Sequence, residues 1–269
     1  MNNNPIGIFD SGIGGLTVAH AIQKLLPNES LVYFGDTAHL PYGDKEPYSI
    51  KHYSVEIAKF LLAKEAKVIV MACHTASSIA YNEVKRIVGK KAIVLNVVDP
   101  VISILSKIEA KNSKVGVIGT KGTIQSKVYP KKVLQTNGQL NISCLETPLL
   151  CPMIEEGFID DQISQTVINR YLGNDTLANI NHIVLACTHY PLIKKQIAKF
   201  YGKSVDVIDP SEVVALSVEQ LLSEKKMLRD QKLNPEHHFY VSDYTQSFEK
   251  STRFFFGEKV KLEKGSIWS

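Results

Sequence analysis

The chain has 269 residues, enough for one large or two modest domains with a well-buried core. Charged residues make up 22% and the net charge is +4, which excludes a disordered chain and is too slight and scattered to argue for nucleic acid. The N-terminal Met-Asn-Asn-Asn-Pro lacks the pattern of a secretory signal and the longest apolar runs are strand-sized, so a cytoplasmic protein without a membrane span is expected.

Along the chain, residues 6–9 read as a strand and 15–26 as a helix, with Leu16, Ala19, Ile22 and Leu26 on one face and Pro27 as its stop. Residues 31–35 give the next strand and 48–64 a helix; a strand at 68–72 leads into a helix from Thr75 to Val88, closed by Gly89. This alternation predicts an α/β protein with a doubly wound parallel sheet. In the cytosol Cys73, Cys144, Cys151 and Cys187 are expected to be free thiols. No C-x-x-C pair suggests a structural zinc, no metal is expected, and Cys144 and Cys151 read as incidental.

The chain also repeats itself. Gly7-Ile-Phe-Asp-Ser-Gly12 returns in outline as Gly116-Val-Ile-Gly-Thr-Lys-Gly122, 109 residues later. The Ala-Cys of Val68-Ile-Val-Met-Ala-Cys-His-Thr75 returns in His182-Ile-Val-Leu-Ala-Cys-Thr-His189 after 114 residues, and Asp99-Pro100 returns as Asp209-Pro210 after 110. General resemblance among buried strands explains the shared apolar letters. It does not explain the repeated Ala-Cys and Asp-Pro. Two pseudo-symmetric lobes facing a shared cleft are therefore expected: residues 1–98 plus 209–269, and residues 99–208. Each Asp-Pro is expected to open a helix, with Asp as N-cap and Pro in the first turn.

Ligands of open parallel sheets bind beyond the carboxyl ends of the strands. Those ends carry Asp10-Ser11, Asp36-Thr37, Cys73-His74-Thr75, Gly119-Thr120 and Cys187-Thr188-His189. One cysteine thus comes from each half at an equivalent position, and a helix start after each is expected to lower its pKa. A single buried cysteine at a strand end is usually inert packing. A matched pair followed by polar residues suits a two-base exchange, in which one sulfur removes a Cα proton and the other supplies one to the opposite face. Asp10 and His189 are the nearest groups for tuning or relaying those protons. Asp10-Ser-Gly-Ile-Gly-Gly15 fails as a dinucleotide fingerprint, with Thr17 where a small residue belongs, and reads instead as a turn whose N–H groups meet a small carboxylate. Pro41-Tyr42-Gly43 reads as a cleft wall.

These residues closely resemble the glutamate racemases of the aspartate/glutamate racemase superfamily. The match runs through residues 7–17, Asp36 with Pro41-Tyr42-Gly43, Ala72-Cys73-x-Thr75-Ala76, Gly119-Thr120, Pro152 with Glu155-Glu156-Gly157, and Ala186-Cys-Thr-His-Tyr-Pro191. The resemblance implies interconversion of L- and D-glutamate without a cofactor, supplying D-glutamate for peptidoglycan. It implies Cys73 and Cys187 as the acid/base pair, Asp10 and His189 as helpers with Glu155 near His189, and substrate contacts from Ser11, Tyr42, Gly43, Thr75, Thr120 and Thr188. It also implies a homodimer. The family usually has Asn after the first cysteine; here stands His74, which by position lines the pocket on the substrate side.

Aspartate racemase is the alternative within this chemistry, because one methylene discriminates by only about 1–3 kcal/mol. A cysteine hydrolase built on Cys187 and His189 lacks an evident third orienting group. A regulatory protein acting on gyrase would have only the slight basicity in its favour.

Overall fold

Valine- and isoleucine-rich runs buried on both faces mark parallel strands covered by helices. The computed structural model describes residues 3–109, 113–229 and 234–268. Among these it has β1 (Ile6–Asp10), α1 (Leu16–Leu25), β2 (Leu31–Gly35), α2 (Pro47–Ala63), β3 (Val68–Met71), α3 (His74–Val88), β4 (Ile93–Asn96) and α4 (Val98–Leu105). The order then repeats in kind with β5 (Lys114–Gly119), α5 (Lys121–Gln125), α6 (Val128–Thr136), β6 (Asn141–Glu146), α7 (Leu150–Glu155) and α8 (Gln162–Leu172). After these come β7 (His182–Ala186), α9 (Lys194–Tyr201), β8 (Asp206–Ile208), α10 (Pro210–Glu224), β9 (His237–Val241), α11 (Gln246–Phe256) and β10 (Leu262–Lys264). No described helix is long and apolar enough to cross a membrane.

The strands form two wholly parallel sheets, in the orders β10-β9-β2-β1-β3-β4 and β6-β5-β7-β8. The run β2-β1-β3-β4 and the whole second sheet share one topology, in which the first strand of each half lies between its second and third. The repeated landmarks fall on matching strands: β1 with β5, β3 with β7, β4 with β8. The expected pair of pseudo-symmetric parallel α/β halves is what the chain builds. Among the described residues strands β9 and β10 have no counterpart in the second half, and they widen the first sheet beyond β2.

Apolar spacing explains how the helices seat. Leu16, Ala19 and Ile22 of α1 are fully buried, within a core that also takes in Ile6 and Ile8 of β1, Leu185 of β7 and Val214, Val218 and Leu222 of α10. Each such large side chain contributes about 1.5–3 kcal/mol on burial. This core runs from one half into the other.

The two Asp-Pro steps behave differently. Asp209 caps α10 as expected, its Oδ1 accepting from the Ser211 N–H at 2.9 Å with Pro210 in the first turn. Asp99-Pro100 instead lies inside the first turn of α4, which opens two residues early because Asn96 takes the capping. Asn96 Oδ1 accepts from the N–H groups of Val98 (2.9 Å) and Asp99 (2.8 Å). Proline is tolerated there because first-turn N–H groups have no intrahelical partner to lose.

Candidate active site

A cavity of about 120 Å³ opens where the carboxyl ends of the two sheets face each other. At about 30 Å³ of liquid volume per water this is room for roughly four waters, the scale of a small metabolite. Of the residues expected at the site, Ser11, Tyr42, Gly43, Cys73, His74, Thr75, Thr120, Glu155, Cys187, Thr188 and His189 line it. Asp10 is fully buried at the end of β1, outside the lining.

Cys73 stands two residues beyond β3 and caps α3. Its Sγ accepts from the Ala76 N–H at 3.5 Å and donates to Ser11 Oγ at 3.6 Å. Cys187 lacks the equivalent helix. After it the chain turns through Thr188 and His189 into a 3-10 turn, Tyr190–Ile193, held by Pro191, and α9 begins only at Lys194. The expectation of a helix-lowered thiol therefore fails at Cys187 for want of a helix, and at Cys73 because burial wins. Burial and then the nearby Asp10 carboxyl push Cys73 up to about 12. Cys187 is also pushed well up, by burial and then by Cys151, against the pull of His189. The two sulfurs are close enough for the charge of one to act on the other.

His189 is the hinge of the second side. Its Nδ1 lies 3.7 Å from Cys187 Sγ and 3.4 Å from Thr188 Oγ1, while Nε2 lies 2.9 Å from Glu155 Oε1. Burial disfavours its charged form, but Cys187 and Glu155 outweigh it and carry His189 up to about 10. Phe255 of α11 closes over the imidazole edge-on at 5.1 Å.

The glycine turn meets a carboxylate, but it is the protein's own. The Gly12 N–H donates to Asp10 Oδ2 at 3.0 Å, and Thr188 Oγ1 donates to Oδ1 at 3.4 Å. Burial raises the Asp10 pKa. Among the hydroxyls that line the cavity, those of Thr75 and Thr120 are 2.9 Å apart and both in reach of Thr123. His74 lies beside them at 3% exposure with neither ring nitrogen hydrogen-bonded, and burial lowers it to about 3.

The Tyr42 wall is fastened from behind. Fully buried Asp36 accepts from Tyr42 Oη at 2.7 Å, Ser242 Oγ at 2.8 Å and Trp268 Nε1 at 3.0 Å, with His39 Nδ1 at 2.9 Å. Trp268 also packs edge-on against His39 and Tyr53. Ser242 and Trp268 went unnoticed in the sequence, since they follow β9 and β10 and meet Asp36 only through the fold.

Cys151 corrects a second expectation. It is not incidental: it lines the cavity, and its Sγ is 3.3 Å from Cys187 Sγ. Cys151, Cys187 and His189 bring three metal-type donor atoms within 4.8 Å of one another. Cys144, on β6, packs among apolar residues away from the cavity.

Fold and cavity together define a duplicated parallel α/β protein whose small-ligand site lies between the strand ends of its two halves. A family model described as Asp/Glu/Hydantoin racemase matches residues 16–218, and the chain belongs to that family. It is 38% identical over 255 residues to a glutamate racemase of Geobacter metallireducens, covering 95% of this chain and 93% of that one. A crystal structure of glutamate racemase from Francisella tularensis in complex with D-glutamate superposes with TM-score 0.92 at 38% identity, covering 99% of both chains. Another, from Thermus thermophilus in complex with beta-chloro-D-alanine, gives TM-score 0.87 at 34% identity and 98% coverage of each.

Proposed function

We propose that this chain is a glutamate racemase that interconverts L- and D-glutamate through Cys73 and Cys187, without a cofactor, and so supplies D-glutamate for peptidoglycan. The observation that carries the reading is the pair of thiols, one from the equivalent strand end of each half, lining one small cavity. Family membership and relatives named for glutamate support the choice of substrate over aspartate. The proposal includes the lobes 1–98 with 209–269 and 99–208, a cytoplasmic setting and a homodimer, the last two on the family resemblance.

In this reading one sulfur, as thiolate, takes the Cα proton, and the other, as thiol, gives one to the opposite face. Burial pushes both thiols above the usual thiol range. The substrate's ammonium group brings a positive charge that favours thiolate formation beside it. On the second side the cation of His189, held by Glu155, does the same for Cys187. On the first side Ser11 contacts Cys73, and Asp10 acts from beneath through its charge. Thr75, Thr120, Thr188, Gly43 and His74 receive the substrate's polar ends.

Circular dichroism of each pure glutamate enantiomer, followed in deuterium oxide with proton NMR at Cα, tests the proposal. Both enantiomers should lose optical activity and the product should carry Cα deuterium. Cys73→Ala and Cys187→Ala should each lower kcat/KM at least 100-fold, in line with the 10²–10⁴ typical of general acid–base groups. The kcat/KM profile should keep rising with pH beyond the usual thiol range, because burial holds both thiols up and the reacting species is a thiolate. Faster racemisation of aspartate, or full activity in the double Cys→Ala variant, overturns the reading.

A further inference from the structure

Cys151 is a cavity thiol that the proposed proton exchange leaves unused. It stands in the first turn of α7, and the fold-back of α7 toward the end of β7 sets its Sγ 3.3 Å from that of Cys187. Cys187 Sγ is in turn 3.7 Å from His189 Nδ1, and all three atoms lie within 4.8 Å of one another.

We propose that Cys151, Cys187 and His189 form a thiolate-rich site for a soft divalent cation of the Zn²⁺ type, whose binding withdraws Cys187 from proton transfer and switches the enzyme off reversibly. The metal site rests on geometry alone; its inhibitory consequence rests on the reading of Cys187 given above.

Tetrahedral zinc, with Zn–S about 2.3 Å and Zn–N about 2.05 Å, sets sulfurs about 3.8 Å apart and sulfur and nitrogen about 3.6 Å apart. The sulfur–nitrogen pair at 3.7 Å matches that geometry, the sulfur pair at 3.3 Å need open by only about half an ångström, and the third pair lies within 4.8 Å. Two sulfurs and an imidazole select a soft or borderline cation over magnesium or calcium. Glu155 on His189 Nε2 at 2.9 Å supplies the carboxylate that metal-bound imidazoles usually carry on their far nitrogen, fixing the ring with Nδ1 toward the metal. All three residues line the cavity, so a water would complete the coordination. On binding, both thiols and His189 Nδ1 release their protons to solvent, and Nε2 keeps its own against Glu155. No electron is transferred. Inhibition should therefore strengthen as pH rises.

The test uses the full chain, stripped of metal by chelator and kept reduced with a phosphine. Titration with Co²⁺ should produce a thiolate-to-cobalt charge-transfer band that saturates at one metal per chain and is displaced by Zn²⁺. Racemisation should fall with the same Zn²⁺ midpoint and return on adding EDTA. Cys151→Val should weaken the band and raise the Zn²⁺ midpoint at least tenfold, each variant being compared with its own metal-free activity, while Cys144→Ser leaves band and midpoint as they were. Absence of the band in the wild-type protein, or an unchanged midpoint in Cys151→Val, overturns the site. With the phosphine left out, activity loss that a reductant reverses and EDTA does not overturns it in favour of a Cys151–Cys187 disulfide. The cobalt spectrum reports on the site even if the chain proves to racemise nothing.

Discussion

His74 holds an imidazole at 3% exposure with both ring nitrogens unpaired, an arrangement native interiors generally avoid. Its folded pKa of about 3 lies below the ordinary 6.5, so the folded state binds fewer protons than the unfolded one between those values. The stability is fully present above about pH 6.5 and is lost as pH falls toward 3, with a slope approaching about 1.4 kcal/mol per pH unit. His74→Asn removes that slope. Urea unfolding at pH 7, 5 and 4 should show the variant gaining on the wild type with each step down. A constant offset across the three pH values would show that His74 does not titrate on unfolding. At this scale the sequence was legible where chemistry repeats: Cys73 and Cys187 stand out because each follows the same Ala at the end of a strand. Cys151 was not legible, because a lone cysteine in Leu-Leu-Cys-Pro carries no spacing that announces a partner 36 residues away.

Among the elements, the turn between β1 and α1 leaves little tolerance. Gly14 passes so close to the second half that an added Cβ would lie 2.5 Å from His189 Nδ1 and 2.6 Å from Thr188 Oγ1. Thr17 Oγ1 fastens the same approach by donating to the Thr188 carbonyl at 2.9 Å. Gly14→Ala must therefore displace His189 or the turn. Misplacement of about 1 Å near reacting atoms lowers rates on the order of 100-fold. Steady-state kinetics on D-glutamate should show such a loss in kcat/KM, with far-ultraviolet circular dichroism retained; wild-type kinetics would show that the contact yields easily. Strand and helix identities up to α3 were readable from apolar periodicity and from stops such as Pro27 and Gly89. The start of α4 was not. Asn96 and Asp99 are both good caps, and the choice between them depends on where β4 releases the chain.

The whole molecule owes its two-sided cleft to duplication, and the shared order of β2-β1-β3-β4 and β6-β5-β7-β8 is the physical content of the repeat seen in the letters. The unrepeated part escaped that reading. His237-His-Phe-Tyr-Val241 is a half-buried strand whose two histidines break the apolar run, and its place beside β2 follows from long-range pairing rather than local pattern. Yet this added segment reaches the site, since it delivers Ser242 and leads on to Trp268, both bonded to the Asp36 that secures Tyr42.

The sequence contains a single tryptophan, and that residue is Trp268. Its indole is thus an intrinsic fluorophore joined by two hydrogen bonds to the wall of the substrate cavity. Emission excited at the indole should shift as D-glutamate is titrated in, and Tyr42→Phe should silence the signal by cutting the wire between ligand and light.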